Sequence, residues 1–473
     1  MKSALILRSA PLIAALAVAG CVNYSGLHPH ASINSGNDLN LSAGAQAWPE
    51  QHWWDSYHDP VLTGLIQQAL SQNPGMKLAE ARLAKAASMA QMADAGAYPV
   101  AAINASVMPE HFTENYIYPP PFAGKVYSTN MLMVNAKYEF DFWGKNRAAL
   151  NAALSSEKAA QAEIQSAAII LTTSVAKSYF ALARAGEQKK ILQTTLKQRQ
   201  ELTKVTQQRL LAGLDTSQDM HLSKQGIPAI EADIIRLDEQ ISLTRNALAA
   251  LTGQGPTTTV NLEATLPPGV SLTIPEQVPA ELIGRRADIS AARSRVEAAL
   301  GQIAVAKTEF YPNVNLSAFA GFSSLGFTHW LDGSSRDYGV GPAISLPIFD
   351  GGRLRANLSS KNADYDIAVE SYNQTLIEAV HDVADQLSFM RSLSQQQVQQ
   401  AELQRDAESV YELAQKREQA GLISHVSVLN AQTNVLSQQS AALDLRARAL
   451  ELTMNLNRAL GGGFHEQKPH SEF

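Results

Sequence analysis

Few residues of this chain have both the type and the spacing to do chemistry. His28 and His30 stand two apart and could share a metal ion, but they lie in a leader whose composition suggests flexibility, and the remaining histidines are scattered. Arg285 and Arg286 could form an anion site; a structural pair bonding helix-end carbonyls is the reading favoured. Gly351, Gly352 and Arg353 lack the spacing of a phosphate-binding loop. No serine, histidine and carboxylate grouping stands out. Cys21 is the only cysteine in 473 residues, which rules out an intramolecular disulfide and a cysteine-built metal site. No catalytic residue, cofactor or metal is therefore expected, and a net charge of -6 offers no footprint for nucleic acid.

Cys21 has the setting of a lipid acceptor. Lys2 and Arg8 precede an apolar run from Ala10 to Ala19, the layout of a secretory signal. Val18, Ala19, Gly20 and Cys21 resemble the bacterial lipobox, which implies cleavage before Cys21 and lipidation of that residue. Val22, rather than an aspartate, follows it, and by resemblance to bacterial lipoproteins this favours the outer membrane. Beyond the signal, no stretch approaches the roughly 20 apolar residues of a membrane-spanning helix. A membrane crossing would have to be made of β-strands.

Two stretches carry the matching period. Tyr338, Val340, Pro342, Ile344 and Leu346 fall on one face of a strand, and Gly339, Gly341, Ala343 and Ser345 on the other. Leu132, Val134, Ala136, Tyr138 and Phe140 likewise oppose Asn135, Lys137, Glu139 and Asp141. Lipid suits the first face of each and water the second. After Pro347, Gly351 and Gly352 the alternation stops and a long polar helix begins at Arg353, with no breaker until Gly421; Gly144 opens a comparable helix earlier. A helix of some 65 residues is about 100 Å long, beyond the size of an ordinary globular core.

Motifs recur at offsets near 210 residues, which predicts two internal repeats. They are Tyr98, Pro99 with Tyr311, Pro312; Phe142 to Gly144 with Phe349 to Gly351; and Ala212 to Leu214 with Ala420 to Leu422. The organisation expected is a signal peptide over 1–20, a lipid-anchored segment over 21–60, a first repeat over 61–253, a connector over 254–280, a second repeat over 281–463 and a tail over 464–473. Each repeat reads as a helix, two strands and a hairpin of long helices; the second opens on a helix from about Asp288, which can cap its start. About four strands per chain cannot close a barrel in a bilayer, so strands must be shared between copies. Three copies would give about twelve strands and an open lumen, though strand physics alone permits other ring sizes.

Taken together, the lipobox, WWDSYHDPVLTGLIQQAL, YEFDFWGK, GRRADISAARSRVEAALGQIAVAKTEFYPNVNLSA and LPIFDGGRLRANL resemble the outer membrane factors of bacterial tripartite efflux systems, the TolC and OprM type, over nearly all of the mature chain. Ala287 departs from the family, which usually has proline after the arginine pair. The resemblance implies a mostly α protein with a membrane β-barrel: a trimeric channel-tunnel, four strands per protomer in a shared twelve-stranded barrel, with a long-helix α-barrel through the periplasm. It implies passive conduction of small toxic compounds or drugs. Its partners would be a periplasmic adaptor protein and an inner membrane pump of the resistance-nodulation-division or major facilitator class. A duct for type I protein secretion or metal efflux, and a lipid-anchored coiled-coil scaffold that conducts nothing, are the alternatives.

The helix hairpins turn at Gly213 and Gly421, each preceded four residues earlier by an arginine, Arg209 and Arg417. By the resemblance these tips, with Leu214 and Leu422, dock the adaptor. Relatives place carboxylates just past the second turn as a periplasmic gate; here those positions hold Ser427 and Asn430, while Asp219 remains past the first.

Overall fold

The computed structural model describes residues 24–35, 48–267 and 284–465. Cys21, the signal peptide over 1–20, residues 268–280 of the connector with 281–283 of the second repeat, and the tail beyond 465 lie outside the described residues. The elements run in the order α1 (Pro60–Gln72), α2 (Pro74–Ala95), β1 (Val100–His111), β2 (Val126–Glu139), α3 (Lys145–Leu211), α4 (Ser217–Leu251), α5 (Ala287–Thr308), β3 (Asn313–Leu325), β4 (Arg336–Ser345), α6 (Arg353–Gln419) and α7 (His425–Ala459). The helices of the two halves match in length: 22 residues for α2 and α5, 67 for α3 and α6, 35 for α4 and α7.

The chain divides into two compact units, each with segments from both halves. Among the described residues, the first unit holds those up to 33 with 83–159 and 292–372. Its sheet is antiparallel in the order β1-β2-β3-β4, with β1 and β4 as open edges. The register pairs Val134 with Ile103 and Ala320, and Ile344 with Val314. β2 begins six residues before the expected Leu132, because Val126 to Met131 continue the ladder opposite Ser106 to His111 despite their polar composition. At Gly339 a Cβ would meet the Phe319 ring at 2.8 Å, so a larger residue there would push that ring aside. Helix α6 starts where Asp350 accepts the backbone N–H groups of Leu354 (2.8 Å) and Gly352 (3.0 Å), which hold its carboxyl below the usual range.

The leader is not the flexible segment that its composition suggests. Asp366 accepts the N–H groups of His30 and Ala31, each at 2.9 Å, and Tyr24 packs edge-on against Phe310 at 5.3 Å. Tyr24 and Leu27 close a small core of Ile303, Ala306, Phe310, Leu354 and Leu358. His28 and His30 meet ring edge to face at 5.3 Å.

The second unit holds residues 34–82, 160–291 and 373–473, so far as these are described. Its main core gathers Leu62, Ile66, Val175, Ala176, Tyr179, Leu248 and Leu450, all at 1% exposure or less. Asp59 caps α1 through the N–H groups of Val61 and Leu62, with Pro60 at the first helical position. The same carboxylate accepts the Tyr179 hydroxyl at 2.6 Å, and burial with that bond pushes the phenol up to about 12. By length and composition α3 contains a stretch apolar enough to cross a membrane, contrary to the expectation that none follows the signal. Half of that stretch is buried inside the protein, as befits a core helix.

Candidate functional site

The first unit offers a surface with two chemistries. Since β side chains alternate and the register is fixed, Ile103, Val107, Leu132, Val134, Ala136, Tyr138, Leu316, Ala318, Ala320, Tyr338, Val340 and Ile344 share one face. Tyr338 is 78% exposed, Val340 75% and Ile103 72%, so among the described residues nothing covers this apolar face. The other face carries Asn104, Ser106, Asn135, Lys137, Glu139, Asn315, Ser317 and Ser345. Lys145 reaches back to Glu139 at 2.9 Å, so the polar face continues into the first turn of α3. Both strand faces agree with the alternation in the sequence. A sheet that is apolar on one side and polar on the other suits hydrocarbon and water respectively.

The second unit contains both helix turns. Gly213 and Gly421 have φ of 74° and 71°, as the sequence requires of them. In each, two reversed bonds close the helix: Leu214 and Leu422 donate to the carbonyls of Arg209 and Arg417, both at 2.8 Å, and the two glycines donate to Leu210 at 3.0 Å and Glu418 at 2.8 Å. Leu214 and Leu422 project at 67% and 69% exposure.

Beyond this shared geometry the turns differ. Arg209 grips Asp215 with two bonds of 2.9 Å, and that carboxylate raises the guanidinium pKa. Thr216 and Asp219 form a reciprocal capping box at the start of α4, in which Asp219 Oδ2 accepts from the Thr216 hydroxyl (2.6 Å) and backbone (2.9 Å). Those bonds, the hydroxyl first, hold the Asp219 carboxyl below its ordinary range. In the second turn Ile423 stands where Asp215 stands in the first, and Arg417 is exposed. Ser424 caps α7 without a side-chain bond; its Oγ lies 3.4 Å from that of Ser427. A contact invisible in the sequence ties this turn instead: His425 Nδ1 meets Glu418 Oε1 at 2.6 Å. Asn430 faces solvent one residue beyond buried Val428 and Leu429.

The arginine pair divides its work. Arg286, 8% exposed, donates to the Ala459 carbonyl at the end of α7 (2.9 Å) and forks onto Asp288 at 3.0 and 2.7 Å. Asp382 of α6 lies 3.6 Å from Arg286 and also receives Arg458 at 2.9 Å. Burial disfavours the charges of Arg286 and Asp288, yet their mutual bonding wins: the guanidinium is raised and the Asp288 carboxyl lowered. Asp288, expected to cap a helix that it begins, sits inside the first turn of α5, which starts at Ala287. Arg285 lies over the Trp48 ring at 5.2 Å and reaches His465 Nδ1 at 2.9 Å.

The outer membrane efflux protein family profile matches residues 65–254 and 278–462. The chain is 31% identical over 440 residues to the multidrug resistance outer membrane protein MdtP of Escherichia coli K12, covering 91% of this chain and 90% of that protein. It is 31% identical over 444 residues to MdtQ of Escherichia coli O157:H7, covering 92% of each. Its fold superimposes on the outer membrane protein VceC of Vibrio cholerae with a TM-score of 0.81 at 37% identity, over 88% of this chain and 100% of that one. The CmeC outer membrane channel of Campylobacter jejuni gives 0.83 at 20% identity, over 93% and 96%, a likeness of fold alone. The chain belongs to the outer membrane efflux protein family. It is an outer membrane channel protein that serves efflux.

Proposed function

We propose that three copies of this chain pool their strands into one twelve-stranded barrel, whose polar lumen continues into a tunnel of long helices. The observation that carries this reading is the four-stranded sheet with one uncovered apolar face and two open edges. Open edges in hydrocarbon would strand backbone N–H and C=O groups, so further strands must come from other copies. The equal helix lengths in the two halves support an internal duplication over 61–253 and 281–463.

In this reading the channel conducts passively. An inner membrane pump of the resistance-nodulation-division or major facilitator class supplies the energy, and the cargo is small toxic compounds, as the names of the MdtP and MdtQ relatives suggest. An adaptor docks on the turns at Arg209, Gly213 and Leu214 and at Arg417, Gly421 and Leu422, whose exposed leucines suit apolar contact. Asp219, Ser427 and Asn430 narrow the pore nearby. Lipidated Cys21 anchors the leader in the outer membrane, while the helices extend into the periplasm. Single-channel recording in planar bilayers tests the reading: purified oligomer should give discrete ionic current steps. An inserted oligomer that carries no current under any voltage or salt gradient would make the chain a scaffold.

A further inference from the structure

The polar face of the sheet changes character along its height. Helices α3 and α6 follow β2 and β4, so the strand ends at Glu139 and Ser345 are the helix ends of the sheet. There the face presents Glu139 opposite Asn315 and Lys137 opposite Ser317. From the pair of Asn135 and Phe319 towards the other end, large apolar side chains enter it. Because strand side chains alternate, Phe319, Met133, Met131 and Met108 fall on the same side as Asn135. Phe319 faces Asn135 and so has Met133 as its diagonal neighbour, while Met131 faces Ser106 and so has Met108 as its own. Diagonal neighbours are within reach of aromatic and long side chains, and the four residues form one track across β3, β2 and β1. Its far end lies beside Tyr127, on the same side of β2, whose ring meets that of Phe112 at 6.2 Å.

The inner part of the track lies flat on two glycines. Two carbons of the Phe319 ring stand 2.8 and 2.9 Å from the place that a Cβ would take at Gly339, and Met133 Sδ stands 2.7 Å from the corresponding place at Gly321. Both side chains therefore lean along the wall instead of standing away from it. Phe319 still keeps 38% of its surface open and Met108 keeps 59%. Polar groups remain alongside, with Asn104 opposite Met133, Ser106 opposite Met131 and Thr129 opposite Met108. Three of the chain's ten methionines are thus spent on a wall whose only neighbour would be water, which adds nothing to the fold and calls for another role.

Resting on the barrel reading above, we infer that Phe319, Met133, Met131 and Met108 form a contact track for apolar and aromatic cargo on the outer half of the lumen wall. Unbranched, polarisable thioethers adapt to molecules of unlike shape, which suits varied cargo. The ring offers its face to aromatic groups. Since Phe319 and Met133 lie flat, the track lines the path without closing it. The polar groups beside it keep the wall wet, so that contact stays weak enough for cargo to leave, as passive conduction requires. Thioethers also attract soft metal ions. A small molecule is favoured over an ion because Met133 is buried against Gly321 and the phenyl ring supplies no ligand atom.

The test compares two cations of equal charge. Oligomers of the full-length chain are inserted in planar bilayers with benzyltrimethylammonium nitrate on one side and tetramethylammonium nitrate on the other, and the reversal potential gives the permeability ratio. In the parent, the benzyl ion should permeate better than its slower diffusion in water allows. Phe319→Ser and Met131→Ser should each lower the ratio by about twofold to threefold, the scale of one ring or thioether contact. Phe319→Leu, which keeps the wall apolar, should retain most of it. Met108→Ser, at an exposed position, reads the same effect where Phe319→Ser does not assemble. An equal ratio in the parent and the serine variants overturns the track and leaves the channel standing. Block of the parent by silver ions that Met131→Ser abolishes, with the organic-cation ratio unchanged, makes the residues a soft-metal site and also overturns it. If the inserted parent carries no current at all, the barrel reading fails and the track with it.

Discussion

Asp366 shows how a single carboxylate can hold a segment that no sequence pattern marks. It accepts two leader N–H groups, Ala31 first and then His30, which depress its pKa in the folded chain. A depressed carboxylate stabilises the attachment fully above the unfolded value, about 4, and loses that contribution as pH falls through the lower folded value. Amide exchange at His30 and Ala31 should therefore be slow at neutral pH and fast in strong acid, and Asp366→Ala should make it fast at both. Equal exchange in the variant and the parent at neutral pH would mean that other contacts hold the leader. The tip residues allow a second residue-scale prediction. Asn430 is exposed where relatives are expected to place an acid, and a ring of like charges in a narrow pore attracts cations. Asn430→Asp should raise cation selectivity and block by trivalent cations in single-channel recordings; an unchanged current would place the constriction elsewhere.

At the scale of elements, the strands were legible because burial on one side leaves a period of two, and the ladder turns that period into one apolar face. Val134 and Asn135 lie next to each other in β2 and point to opposite sides. Val134→Lys should cost about 2 to 4 kcal/mol if its site is near the bilayer midplane, whereas Asn135→Lys should cost little. Oligomer yield from outer membranes measures the difference, and equal yields would contradict the assigned faces. The helix hairpins were legible for a similarly local reason: only glycine takes the φ found at Gly213 and Gly421 without strain. What stayed hidden is tertiary pairing. Asp382 on a polar helix looks like any solvated acid, and only folding brings it to Arg286 and Arg458, 96 and 76 residues away in sequence. His425 and Glu418 were missed likewise, since a turn must form before they meet. The start of β2 was missed because the ladder opposite β1, rather than side-chain burial, extends it to Val126.

For the whole molecule, the proposed barrel depends on one condition, that its sheet separates lipid from water. It is tested most directly by placing single cysteines along β2, from Leu132 to Tyr138, and treating intact outer membranes with a membrane-impermeant maleimide. The account predicts an alternation: cysteines at Met133, Asn135 and Lys137 react, while those at Leu132, Val134 and Ala136 stay protected. Uniform reactivity along the strand, or the opposite alternation, would contradict it.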